Sequence, residues 1–329
     1  MHFKVLLLSL FIFFIYPKGT FASCLILKTK DKMPQTIEKN MCIEMQGDQK
    51  LEGRIVNNGT LIIKASRSVI LQGNIVNKAR SKLIVRGDLL CQKKSSLIFE
   101  PSAKGEIHGS LVLKDKSLLN LDNATFLNKG RLFLIDKSSI EANSSKLVSS
   151  GTFSLDNSKI LFKDGILESR GKLTAERAKI DFISKAIFLN KARLDVDDKS
   201  LFTFHDMSYL KSSRRINLLG VFAFLDKSYF ENSSILDISN RSTLILQSKA
   251  KSINKDDINI YGALLVNNSN LINKGHIQIK KEGIFKIVDK SYVNNLGTMR
   301  EDGVILKDDS SKLDNKNIIY DSKLQRQYL

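Results

Sequence analysis

Leu111-Val112-Leu113-Lys114-Asp115-Lys116-Ser117-Leu118-Leu119 is one copy of a phrase that recurs along the chain. Its form is apolar, any residue, apolar, then an acid, a basic or amide residue and a small residue, with an apolar residue two places on. The further copies are Leu132, Leu134, Asp136-Lys137-Ser138, Ile140; Phe153, Leu155, Asp156-Asn157-Ser158, Ile160; and Leu173, Ala175, Glu176-Arg177-Ala178, Ile180. Two more are Leu194, Val196, Asp198-Lys199-Ser200, Phe202 and Phe222, Phe224, Asp226-Lys227-Ser228, Phe230. Successive acids stand 21, 20, 20, 22 and 28 residues apart. A unit that short cannot enclose a core of its own, so stacking on its neighbours must supply one. Apolar residues alternate within each unit, which is the period of a strand and not of a helix. The expected fold is therefore all-β: a single-stranded parallel β-helix, or solenoid, with coils of about 21 residues.

The decisive expectation is that Leu119, Ile140, Ile160 and Ile180 form one interior stack. A third inward column is expected at Leu127, Leu147, Leu167 and Ile187. After Phe230 the phrase weakens but keeps its place through Ser248, Asn267, Asp289-Lys290-Ser291 and Asp308. The coils are thus expected over 51–312, beginning with an imperfect copy at Leu61 and Ile63. Residues 23–50 lack the repeat and are expected to cap the first exposed strand edges. Residues 313–329 turn polar and are expected to form a second cap or a tail. The 28-residue step from Asp198 to Asp226 predicts an insertion near His205 to Asn217, with the basic tip Lys211, Arg214 and Arg215 as a candidate loop for an anionic partner.

The formal net charge is +18, and three prolines in 329 residues suit strands that bond to both neighbours. The N-terminus has Lys4, an apolar run from Val5 to Tyr16 and small residues before Ala22, as expected of a secretory signal peptide spanning 1–22. Its removal would leave about +16, since it contains Lys4 and Lys18 and no acid. A chain so basic attracts polyanions, so the expected partners are an anionic glycan, lipid or cell-surface polymer, with no specific nucleic acid. No later apolar run is long enough to span a membrane. Export would place the chain in the periplasm, at the cell surface or outside it, as a monomer. There Cys24 and Cys42 are the candidate disulfide. Cys24 also sits where a lipoprotein cysteine would, and a lipid on its sulfur would forbid the bridge. Cys91 aligns with Leu113, inside the coil, and is expected as a buried free thiol.

In register, the acids and the residues beside them make a ladder along one corner: Asp115 and Lys116, Asp136 and Lys137, Asp156, Glu176 and Arg177, Asp198 and Lys199, Asp226 and Lys227, Asp289 and Lys290. Carboxylates about 4.8 Å apart repel one another, so the neighbouring cations and turn hydrogen bonds are expected to offset them. Interleaved cations disfavour calcium, and no cofactor is expected. Asp197-Asp198, Asp256-Asp257 and Asp308-Asp309 are adjacent in sequence, which turns their side chains to opposite faces of a strand. His108, His205 and His276 show no ligand spacing. No catalytic residue is assigned.

The repeats from Gly109 to Asp308, with corners such as Asn128-Lys129-Gly130 and Asn273-Lys274-Gly275, resemble the β-solenoid passenger repeats of filamentous-haemagglutinin and autotransporter adhesins. That resemblance implies a right-handed helix displayed at a bacterial surface and engaged in adhesion. The signatures of the two-partner secretion domain are absent. The expected function is a non-enzymatic, exported structural or adhesin-like module. The alternative is a β-helix enzyme acting on polysaccharides, a lyase or a hydrolase.

Overall fold

Alternation along each strand places every second side chain inside, and a computed structural model shows how the coils use this. It describes residues 23–65, 68–315 and 318–320; the expected signal peptide 1–22 and most of the expected tail lie outside the described residues. Every element among those residues is a short strand. One coil runs Ser110–Leu113, Leu118–Asp122 and Thr125–Asn128, here assigned to sheets 1, 2 and 3. The next coil lays Arg131–Leu134 parallel on Ser110–Leu113, and so on around. Repetition builds three parallel sheets of 14, 14 and 15 strands. Leu119 pairs with Ile140, Ile140 with Ile160 and Ile160 with Ile180, so the expected stack exists. It continues as Phe202, Phe222, Leu244, Leu264 and Phe285.

Stacking like on like gives the interior its contacts. Phe162, Phe182, Phe204 and Phe224 follow one another on sheet 2, with ring centroids 5.8, 4.7 and 4.5 Å apart. Offset ring stacking at these distances adds to plain burial. Cys91 is fully buried opposite Leu113, and burial pushes its thiol far above the ordinary range. The third inward column is Phe126, Leu147, Leu167 and Phe188, not Leu127 and Ile187 as expected. The steps are 21, 20 and 21 residues, so a uniform step of 20 misplaces both ends by one residue, enough to turn a side chain outward.

The small residue of the phrase fills the tight inner corner. Ser95, Ser117, Ser138, Ser158, Ala178 and Ser200 are all buried between sheets 1 and 2. The two residues before it turn the chain: Asp115 and Lys116 have φ of 54° and 62°, and Asp136 and Lys137 repeat this at 53° and 63°. Asp and Asn tolerate this left-handed region, which explains the acid or amide. Between sheets 3 and 1 the coils approach so closely that Gly109, Gly130, Gly151 and Gly171 stack. A Cβ at Gly130 would lie 2.0 Å from the Gly109 carbonyl oxygen.

The 28-residue step is not an insertion. Leu194–Val196 pairs with Ile216–Leu218, and Leu201–Phe204 with Val221–Phe224, at ordinary offsets of 22 and 20. The phrase has instead moved from the corner between sheets 1 and 2 to the corner between sheets 2 and 3. Asp226 therefore stacks on Asp206 and not on Asp198, and the Asp206 N–H faces the Asp226 carboxylate at 3.4 Å. Asp289 lies at that second corner, where it donates its N–H to Asp308 at 2.8 Å. The single expected ladder is thus two ladders.

Residues 23–50, expected as a cap, carry strands of all three sheets: Leu25–Leu27 and Cys42–Met45 in sheet 3, Thr36–Ile37 in sheet 2, and the start of Gln49–Leu51 in sheet 1. Weak alternation in this segment hid the coil. A disulfide joins Cys24 to Cys42 with Cα atoms 4.5 Å apart. A Cys24 sulfur so engaged is not free to carry lipid. At the other end Lys312–Asn315 and Ile318–Tyr320 are strands as well.

Candidate functional site

The corner ladders are structural. The Lys116 N–H donates to the Asp136 carbonyl at 3.1 Å and the Lys137 N–H to the Asn157 carbonyl at 2.7 Å, so main-chain bonds tie coil to coil. Carboxylates add further caps: Asp197, not its ladder neighbour Asp198, accepts the Arg177 N–H at 3.0 Å. Among the described residues, Arg177 is the one member of the basic column Lys116, Lys137, Arg177 and Lys199 that forms an ion pair with the acids, at Asp156. The remaining charges of the corner face water.

The expected basic loop comes apart. Lys211 lies within Tyr209–Ser212 on the outer face of sheet 3, its Nζ 3.2 Å from Glu231. Glu231 also accepts Lys255 at 2.7 Å and the Tyr209 hydroxyl at 3.1 Å. Burial opposes ionisation of Glu231, but the Lys255 and Lys211 bonds outweigh it and hold the carboxyl below its usual range. Burial and the Glu231 charge push the Tyr209 hydroxyl up. The Tyr209 ring lies against that of Tyr229, tilted by 42° with centroids 5.1 Å apart.

Arg214 and Arg215 belong elsewhere, to the corner between sheets 3 and 1. Ser169 pairs with Asn190 and Asn190 with Ser212, while Leu173 pairs with Leu194 and Leu194 with Ile216. The three intervening residues therefore align: Arg170-Gly171-Lys172, Lys191-Ala192-Arg193 and Ser213-Arg214-Arg215. Two cations stand at this corner on each of three successive coils, with Lys129 and Arg131 two coils earlier. Glu168 lies beneath the first of them with its side chain 5% exposed. Hydrogen bonds from Arg170 and Lys191, at 2.8 and 2.7 Å, hold its carboxyl down at about 2.

Beside this ridge the face of sheet 1 is polar. Asp195, Asn217, Asp237 and Asn259 occupy one outward column. Arg193 donates to Asp195 at 2.8 Å, and the Asn217 amide donates to the same oxygen at 2.5 Å. Arg215 donates to Asp237 at 2.8 Å and to Asn217 at 3.1 Å, and Asn259 donates to Asp237 at 2.8 Å. Burial works against the Asp195 charge, and the bonds from Arg193 and Asn217 overcome it, so its carboxyl stays below the ordinary range. Leu219, Ser239 and Tyr261 form the opposite wall of a shallow groove of about 720 Å³.

This column was readable in principle, since its steps of 22, 20 and 22 follow the repeat. It sits at an outward position, where an apolar phrase gives no guide. The same holds for a buried asparagine ladder at the end of sheet 3. Asn232 donates to Asn254, Asn254 to Asn273 and Asn273 to Asn295, at 2.8, 2.7 and 2.6 Å.

Among the described residues no group of three or more His, Cys, Asp or Glu side chains is placed to hold a metal ion. No helix among them is long and apolar enough to cross a membrane. Compared with family models, with curated proteins and with solved structures, the chain matches none.

Proposed function

We propose that this protein is an exported, non-enzymatic binding module, adhesin-like in manner, whose solenoid presents a line of cations to an anionic polymer. The observation that carries this is the alignment of Arg170 and Lys172, Lys191 and Arg193, and Arg214 and Arg215 at one corner of consecutive coils. A β-solenoid spaces such positions about 4.8 Å apart. A stiff row of charges at that spacing suits a linear polyanion better than a compact one. Glu168, Asp195 and Asp237 neutralise part of the row and fix its side chains, yet cations remain in excess. Release of counterions then drives association, so binding weakens steeply with salt.

Retention on immobilised heparin tests this: wild-type protein is expected to bind at low salt and elute as sodium chloride rises. Flow-through at low salt, or retention indifferent to salt, would refute a charge-driven role. A polysaccharide-cleaving role would require a carboxyl able to deliver a proton. Asp195, held ionised between Arg193 and Asn217, is an acceptor, and the contacts fit holding a polymer better than cutting it.

A further inference from the structure

The groove on sheet 1 has a chemistry that the ridge lacks. A ridge of lysines and arginines serves any polyanion, whether phosphate, sulfate or carboxylate. The groove floor instead alternates acceptor and donor along the solenoid axis: Asp195, Asn217, Asp237, Asn259. A carboxylate offers about four acceptor positions. Asp237 meets Arg215 and Asn259, and Asp195 meets Arg193, Asn217 and, at 3.6 Å, Lys172. Asp195 keeps acceptor capacity toward the open side, whereas Asp237 is largely covered and serves to hold Arg215 and Asn259. Phosphate and sulfate esters bring no proton to such acceptors, and the head groups of an anionic lipid surface carry no row of hydroxyls to answer the Asp195 carboxylate, whose side chain is 23% exposed. Sugar hydroxyls both donate and accept, and therefore match a floor of this kind.

Two more features narrow the ligand. Arg193 and Arg215 stand along one edge, each with guanidinium N–H groups beyond those given to Asp195 and Asp237, and the planar fork of arginine suits carboxylates. On the opposite wall the Tyr261 ring is 41% exposed, with the Lys280 ammonium 5.5 Å from its centre. An exposed ring beside hydrogen-bonding groups offers an apolar surface to the face of a sugar.

We propose that this groove binds a linear acidic glycan whose sugars carry both free hydroxyls and carboxylates, a polyuronate. Its chain lies along the solenoid axis, with hydroxyls on Asp195 and Asn217, a carboxylate toward Arg193 or Arg215, and one sugar face on Tyr261. This rests on the polyanion-binding reading and names the class of polymer that the adjoining groove selects.

The test compares wild-type protein with an Asn217→Ala/Tyr261→Ala variant, both positions lying on the outer surface. The probes are alginate, neutral dextran, inorganic polyphosphate and phosphatidylglycerol vesicles. Alginate is expected to bind wild type more tightly than dextran does. The variant is expected to lose about tenfold in alginate affinity through the missing hydrogen bonds and ring contact. Its salt-dependent retention by immobilised polyphosphate, which has no hydroxyls or carboxylates for the groove, should stay close to wild type, because Arg215 keeps its bond to Asp237 and the other ridge cations are untouched. Equal alginate affinity for both proteins, dextran binding as tight as alginate, or vesicle capture that falls in the variant while alginate binding does not would each overturn the proposal. Loss of heparin retention in wild type itself would strike the ridge, and the alginate comparison would still report on the groove.

Discussion

Arg215 at the start of one coil donates its Nε–H to the carboxylate of Asp237 on the next, 2.8 Å away. The bond runs along the solenoid axis, so a cation that would otherwise wander in solvent is held over the groove by the neighbouring coil. The same device recurs one coil earlier, where Asn217 reaches back to Asp195 at 2.5 Å. Register thus sets both the core and the chemistry of the surface.

The Glu168 cluster should be asymmetric under mutation. Arg170 and Lys191 are 55% and 51% exposed, so Glu168→Gln leaves them solvated and should cost less than removal of both cations. Replacing both cations by Ala strands a buried carboxylate and should cost about 3 kcal/mol at pH 7. Adding Glu168→Gln to that double variant should restore most of the loss in urea melts. The folded carboxyl titrates near 2, against an ordinary value of 4.5, so the cluster's contribution is complete above that value and is lost as pH falls through about 2.

Gly130→Ala should disrupt folding more than any exposed substitution. Its Cβ would lie 2.0 Å from the Gly109 carbonyl oxygen, and backbone on both coils would have to move. A loss of about 3 kcal/mol or more is expected by chemical denaturation, at the upper end for single changes. Ala192 stands in the same column three coils later, so Ala192→Gly is expected to change stability by less than about 1 kcal/mol.

Asn273→Ala removes one rung of the buried amide ladder, taking one acceptor from Asn254 and the donor that reaches the Asn295 carbonyl oxygen. The expected cost is about 2 kcal/mol or more, because buried amide groups would lose partners they cannot replace with water. Asn270→Ala, on the outer face of the same strand, should be nearly silent in the same thermal melts.

The disulfide closes the first coil across a sequence separation of 18. A Cys24→Ser/Cys42→Ser variant should lose about 3 kcal/mol in that coil on the loop-entropy estimate. Cys91 should resist thiol reagents in native buffer and react only after denaturant is added, since it is fully buried.

Much of this was legible in the sequence. The stack Leu119, Ile140, Ile160 and Ile180, the buried Cys91 and the Cys24 to Cys42 pair all follow from alternation, register and residue type. What misled was reading one phrase as one corner. Any tight corner that needs positive φ and a small inner residue selects Asp-Lys-Ser, and this solenoid has two such corners. Asp198 and Asp226 therefore look like neighbours on a stretched coil when they stand at different corners. The groove was hidden for the opposite reason: Asp195, Asn217 and Asp237 recur at coil spacing, but nothing in their local sequence marks which face they share.

Lys211 and Arg214 should separate in function. Lys211→Ser leaves the ridge intact, because its ammonium serves Glu231 on sheet 3, and heparin elution should stay at the wild-type salt concentration. Arg214→Ser should elute earlier.

The most direct measurement of whether cations act through their alignment, and not through net charge alone, is the salt dependence of heparin affinity for two variants of equal charge. One is Lys129→Ser/Arg131→Ser/Arg214→Ser, on the ridge. The other is Lys163→Ser/Lys227→Ser/Lys249→Ser, between sheets 2 and 3. The ridge variant should show a shallower slope of log affinity against log salt and weaker binding, while the second stays close to wild type. Equal losses in the two variants would contradict the account.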